Sequence, residues 1–71
     1  MSSRINMIKM GNHIADLRKK KNYTQKTLGD ILNIHEKTIS KWENDINEPN
    51  LAAIRELSEL LGCSIEYLIS D

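Results

Sequence analysis

Residues 25–44, QKTLGDILNIHEKTISKWEN, decide how this 71-residue chain folds. Within them Leu28 and Leu32 lie one helical turn apart, and so do Ile39 and Trp42. Because residues three or four apart share one face of a helix, this spacing predicts two short α-helices that each bury one apolar stripe.

Two residues of this stretch predict how the helices are joined. Gly29 lies inside the first helix, where glycine costs about 1 kcal/mol relative to alanine, so we expect another helix to pass too close there for a Cβ atom. Asn33 suits the left-handed residue that ends a helix. Two short helices joined in this way predict a helix-turn-helix unit, whose second helix can enter the major groove of DNA.

Helical patterns continue on both sides of this unit. Thr24 is predicted to cap its first helix, Asn50 and Ser64 to cap a fourth and a fifth helix, and Gly62 to end the fourth. A first helix is predicted over residues 9–20 from the spacing of Met7, Met10, Ile14 and Leu17. The inward residues of the fourth helix are predicted to be Leu51, Ile54, Leu57, Leu60 and Leu61. The sequence contains no strand pattern, so we predict an all-α domain of five helices over residues 9–69, with an arm at 1–8 and a tail at 70–71.

Length and composition restrict the class of protein. Seventy-one residues make one domain, near the lower size limit for a single apolar core. Cys63 is the only cysteine, which excludes an internal disulfide and fits a reducing cytoplasm. His13 and His35 form no spaced metal motif, and no catalytic constellation is visible. We therefore expect a cytoplasmic protein that is not an enzyme, has no cofactor, metal or small-molecule substrate, and has no contact with a membrane.

The charges are divided unequally along the chain. Ten basic and ten acidic residues give a formal net charge of zero. Residues 1–41 nevertheless carry +6, and residues 42–71 carry −6. The basic half can meet phosphate groups, although a solvated basic surface explains the charges alone equally well.

Three segments of the chain resemble the Cro/repressor (XRE) family of helix-turn-helix regulators. They are DLRKKKNYTQKTLGDIL at 16–32, TISKWEN at 38–44, and EPNLAAIRELSELLGCSIEYLI at 48–69. The resemblance implies a lambda-repressor-like DNA-binding fold. The family often has glycine where Asn33 and Asp45 stand, and serine or threonine where His35 stands. Asn and Asp tolerate left-handed geometry, whereas histidine is a poorer helix cap.

The resemblance also implies contacts with the DNA backbone. It implies that Gln25 grips a phosphate, and the start of a helix does attract anions. It assigns a second backbone contact to Asn44, and we place Thr24 and Thr38 in the same group. The alternatives are that Thr24 and Gln25 only begin a helix, and that Asn44 only caps one.

The outward face of the third helix is the candidate for reading bases. If Ile39 and Trp42 point inward, the residues that point outward are Glu36, Lys37, Ser40 and Lys41. Lysine can donate to guanine and glutamate can accept from cytosine. The alternative is a surface of mixed charges that contacts only water.

Arg18 and Glu43 match a pair that forms a partly buried ion pair in the family, joining the first helix to the third. The alternative is two independent surface charges. An unpaired carboxylate beside Trp42 would be costly, so we expect the pair.

These observations predict a regulator of transcription, more specifically a repressor, that binds a palindromic site on double-stranded DNA as a homodimer. The resemblance suggests dimer contacts at Ile46, Pro49, Leu51, Tyr67 and Leu68, with the core favoured for Leu51 and Leu68. One alternative is an antitoxin-like or adaptor module that binds another protein. Another is the DNA-binding head of a longer regulator.

Overall fold

The computed structural model describes residues 9–70, which form five α-helices and no strand within that range. The helices are α1 (Met10–Lys20), α2 (Gln25–Leu32), α3 (Glu36–Glu43), α4 (Leu51–Leu61) and α5 (Ile65–Ile69). The all-α fold class is therefore confirmed. The predicted arm at 1–8, with Met7, lies outside the described residues, as does Asp71 of the predicted tail. None of the five helices is long and apolar enough to cross a membrane.

Side-chain caps begin four of the helices. The side chains of Thr24, Asn50 and Ser64 each accept a hydrogen bond from the backbone N–H three residues later, as predicted. His35 also caps its helix, because its Nδ1 accepts from the N–H of Lys37 at 3.0 Å. These contacts satisfy N–H groups that have no carbonyl partner within the helix.

Residues in the left-handed conformation redirect the chain. Asn33 (φ 62°) ends α2 and Gly62 (φ 72°) ends α4. Asn22 and Asp45 also have positive φ, at 63° and 59°. Asparagine and aspartate adopt this region more readily than most residues, so they serve here without a glycine.

Each helix contributes one fully buried aliphatic side chain to a single core. These side chains are Ile14, Leu28, Ile39, Leu57 and Leu68. Trp42 lies in the same cluster and is 6% exposed. Burial of one such side chain contributes about 1.5–3 kcal/mol to the stability of the fold. Because every helix contributes one of them, this one cluster holds all five helices together.

Two side chains, those of Leu51 and His13, lie elsewhere than predicted or make contacts that were not predicted. Leu51, predicted to face inward, is 64% exposed: it is the first residue of α4, and the core contacts of that helix begin at Ala53. His13 of α1 stacks on Tyr67 with ring centroids 4.4 Å apart, a contact that was not predicted. Its Nδ1 lies 3.3 Å from the carbonyl oxygen of Leu68, so α5 packs across that side of α1. Cys63 is partly buried against the core, and burial raises the pKa of its thiol.

Two glycines allow close backbone contacts around α3. A Cβ on Gly29 would lie 2.5 Å from the carbonyl oxygen of Ile34 and 3.3 Å from the backbone nitrogen of Glu36. The close approach was expected, but the turn before α3 makes it rather than the body of a helix. A Cβ on Gly11 would lie 2.6 Å from the carbonyl oxygen of Glu43. This contact sets α1 against the end of α3 and was not predicted.

Candidate nucleic-acid interface

The rotation of α3 is set by its two buried side chains. Ile39 is fully buried and Trp42 nearly so, which turns the opposite side of the helix outward. That side carries the four candidate base-reading residues, of which Glu36, Lys37 and Lys41 are exposed and Ser40 is partly buried. Two ammonium groups, one carboxylate and one hydroxyl therefore share a polar face.

Gln25 makes a contact that was not predicted. Its side-chain Nε2 donates to Glu43 Oε1 at 3.0 Å, across the junction of α2 and α3. A carboxamide nitrogen carries two N–H groups, so one remains for another acceptor. The backbone N–H groups of Gln25 and Lys26 also lie in the first turn, where no carbonyl of the same helix can reach them. The start of α2 thus presents several donors and the positive end of a helix dipole.

The hydroxyl of Thr24 is used within the protein. It accepts from the backbone N–H of Thr27 at 2.9 Å and donates to Thr27 Oγ1 at 2.9 Å. This arrangement leaves the hydroxyl hydrogen of Thr27 as the available donor. Thr27, which the sequence interpretation did not include, is therefore a further candidate donor; its place three residues after a cap could have suggested it.

Asn44 and Thr38 lie at opposite ends of α3. The Asn44 side chain donates to the carbonyl oxygen of Ser40 at 2.8 Å, so it caps the helix. The same Nδ2 also lies 3.4 Å from the Oγ of Ser40, on the exposed side of the helix end. Thr38 is partly buried in the first turn, where its backbone N–H donates to the carbonyl of His35 at 2.9 Å.

Arg18 and Glu43 form a double hydrogen bond in the structure. Arg18 Nε lies 2.6 Å from Glu43 Oε2, and Nη2 lies 3.1 Å from Oε1. The side chains are 10% and 6% exposed. Arg18 Nη1 donates in addition to the carbonyl of Tyr23 at 2.8 Å. One arginine therefore joins α1, the turn that follows it, and the end of α3.

No group of three histidine, cysteine, aspartate or glutamate side chains that could hold a metal ion occurs within residues 9–70. The outward face of α2 and α3 offers hydrogen-bond donors and positive charges, together with the Glu36 carboxylate. Such groups contact phosphate oxygens and base edges.

Comparison with known proteins assigns the fold to a family. A model of the HTH_3 helix-turn-helix family matches residues 14–68. The chain is 33% identical over 60 residues to the HTH-type transcriptional regulator ImmR of Bacillus subtilis, and 38% identical over 60 residues to repressor protein C2 of Salmonella phage P22. Each match covers 84% of this chain, which spans 47% and 28% of those relatives respectively.

A solved structure agrees with the sequence relatives. The crystal structure of the P22 c2 repressor with a synthetic operator superposes with a TM-score of 0.80 at 38% identity, over 84% of this chain and 91% of that chain. The residues that the family model matches run from within α1 into α5. The chain therefore belongs to the XRE-type helix-turn-helix family of transcriptional regulators.

Proposed function

We propose that this chain is a cytoplasmic, sequence-specific regulator of transcription that represses by binding double-stranded DNA with α3 in the major groove. The observation that carries the proposal is the similarity to the P22 c2 repressor, whose structure contains operator DNA. The polar outward face of α3 supports it further, because a surface that docks another protein is commonly more apolar at its centre.

The roles of individual residues follow from their chemistry and position. Lys37 and Lys41 are proposed to donate to guanine O6 and N7, and Glu36 to accept from cytosine N4, with Ser40 able to do either. The phosphate contacts are proposed to come from Thr24, Gln25, Thr38 and Asn44. For Thr24 the contact would run through the helix start that it caps, because its own hydroxyl donates to Thr27.

A homodimer on a palindromic site belongs to this proposal. One recognition helix reads only a few base pairs, and two of them would bind half-sites about 34 Å apart. Of the five candidate dimer residues, Ile46 is 67% exposed and Leu51 is 64% exposed. Tyr67 is also exposed, whereas Pro49 and Leu68 are buried within the protomer. The dimer contact is therefore proposed to centre on Ile46 and Leu51.

Selection of bound duplexes from a random pool tests the proposal directly. We expect enrichment of one motif with two-fold symmetry, and loss of reporter expression when that motif overlaps a promoter. Failure to enrich any motif would instead favour the alternative of a protein-binding module.

A further inference from the structure

The start of α2 and the end of α3 are joined through one carboxylate. Glu43 Oε1 accepts from Gln25 Nε2 at 3.0 Å and from Arg18 Nη2 at 3.1 Å, and Oε2 accepts from Arg18 Nε at 2.6 Å. A continuous set of hydrogen bonds therefore runs from α1 through Glu43 to the Gln25 amide. Bonds of this kind, with an ionised partner, are stronger than those between neutral groups.

A carboxylate at this place is unfavourable for DNA binding unless it has a compensating role. Glu43 lies within hydrogen-bond distance of the amide proposed to grip a phosphate, so its charge would repel that phosphate. Arg18 offsets the charge with two hydrogen bonds, and the Glu43 side chain is only 6% exposed. The compensating role that remains for Glu43 is to accept the hydrogen bond from Gln25 Nε2.

That hydrogen bond restricts a flexible side chain. Glutamine loses considerable rotamer freedom when it is held in one geometry, and a group that is already held in the free protein binds its target more tightly. With one N–H of the amide on Glu43, the second N–H is free to donate to another acceptor.

We propose that Glu43 is a positioning residue for phosphate binding: it holds the Gln25 amide so that the second N–H meets a DNA phosphate, while Arg18 offsets its charge. This inference rests on the proposed DNA-binding function. It assigns the Arg18–Glu43 pair a role in DNA binding in addition to its role in the fold.

The substitution Glu43→Gln tests the inference, because loss of a charge and loss of positioning change the affinity for DNA in opposite directions. Removing a negative charge near DNA should strengthen binding if charge alone matters. The proposal instead expects binding of the selected duplex to weaken about threefold to tenfold, because the Gln25 amide loses its charged acceptor. Glu59→Gln, an exposed acid on α4, is the matched control and should leave affinity unchanged. Tighter or unchanged binding by Glu43→Gln would overturn the inference.

A second measurement separates positioning from a general loss of structure. Duplexes that carry a single methylphosphonate at each backbone position in turn should reveal one phosphate whose neutralisation weakens the wild type. In Gln25→Ala and Glu43→Gln that one sensitivity should disappear while the others remain, and the double variant should bind like Gln25→Ala alone. Uniform loss at all positions, or effects of the two substitutions that multiply, would contradict the inference.

A replacement variant and the behaviour of the wild type complete the test. If Glu43→Gln does not fold, as judged by circular dichroism, Gln25→Asn serves instead, since its shorter side chain cannot reach both acceptors and leaves Arg18 and Glu43 paired. It should lose the same phosphate sensitivity, and wild-type behaviour would overturn the inference. If the wild type binds no duplex at all, the proposed function itself fails. If the wild type binds DNA but Gln25→Ala and Glu43→Gln do not affect the same phosphate, the inference alone fails.

Discussion

Removal of the Glu43 side chain would leave a nearly buried guanidinium without its carboxylate partner. Arg18 would keep its hydrogen bond to Tyr23 but lose both bonds to the carboxylate. Breaking a buried pair from one side costs about 3–5 kcal/mol, and the remaining contact and solvent access at this site reduce that figure. We expect Glu43→Ala to lower the free energy of unfolding by about 2–4 kcal/mol in urea melts.

Glu59→Ala is the control for this prediction. Glu59 is exposed on α4, and a surface substitution away from special features changes stability by less than about 0.5 kcal/mol. Equal effects of the two substitutions would show that Arg18 and Glu43 do not stabilise the fold as a pair.

Gly29 tests the close approach of the turn to α2. Alanine there gains about 1 kcal/mol in helix propensity. Its Cβ would, however, meet the carbonyl oxygen of Ile34 at 2.5 Å, and a backbone atom cannot move aside cheaply. Because overpacking costs about 1–3 kcal/mol and the propensity gain offsets about 1 kcal/mol of it, we expect Gly29→Ala to lower stability by up to about 2 kcal/mol in thermal melts. Asp30→Ala, at an exposed position of the same helix, should be nearly neutral, and a gain in stability at Gly29 would contradict the prediction.

Single residues with local roles could be predicted from the sequence. Caps such as Asn50 and the left-handed Asn33 depend on chain neighbours only, so the local pattern contains the information. Gly11 depends instead on the end of α3, more than thirty residues away. The hydrogen bond between Gln25 and Glu43 is equally non-local, since no spacing rule relates two residues on different helices.

The proposed placement of α3 in the major groove can be tested with one substitution on α3 and one at the start of α2. Lys41→Ala removes a proposed base contact, which should cost about 1–3 kcal/mol of binding and relax the preference at one base position. Gln25→Ala, at the start of α2, should weaken binding to all sequences alike. Repeating the duplex selection with each variant measures both effects. An unchanged preference in Lys41→Ala would mean that another face of α3 meets the bases.

Arg55→Ala is the control for these two variants. Arg55 is an exposed basic residue on α4, outside the candidate interface. Its substitution should therefore change neither the affinity for DNA nor the preference for a DNA sequence. A loss of affinity there comparable to that of Lys41→Ala would move the interface towards α4.

Whole elements were predicted more reliably than the contacts between them. All five helices follow from apolar spacing and caps, since both signals recur along one chain segment. The exposure of Leu51 depends on where the core contacts of α4 begin, and the packing of His13 on Tyr67 depends on where α5 lies against α1. Apolar spacing shows that a residue belongs to an apolar stripe, but it does not show how far the partner helix extends along that stripe.

For the whole molecule, the proposed dimer predicts a difference between two kinds of DNA. Leu51→Glu places a charge in the proposed contact, so binding to a palindromic duplex should weaken about tenfold or more as the linkage of two half-sites is lost. Binding to a single half-site should stay unchanged. Ile31→Glu is the matched control, because Ile31 is another exposed apolar residue, on α2. Equal losses on both duplexes would argue against a dimer centred on Leu51.

The unequal division of charge between the two halves of the chain predicts how salt affects DNA binding. Lys26→Glu and Arg55→Glu change the net charge by the same amount, but Lys26 lies beside Gln25 in the basic half of the chain, whereas Arg55 lies in the acidic half. If phosphates meet the basic half, Lys26→Glu should reduce the slope of log affinity against log salt by about 1, because about one counterion fewer is released. Arg55→Glu should leave that slope unchanged. Equal changes in the two variants would mean that net charge rather than its placement controls binding, and a chain with no net charge would then have no electrostatic attraction to DNA.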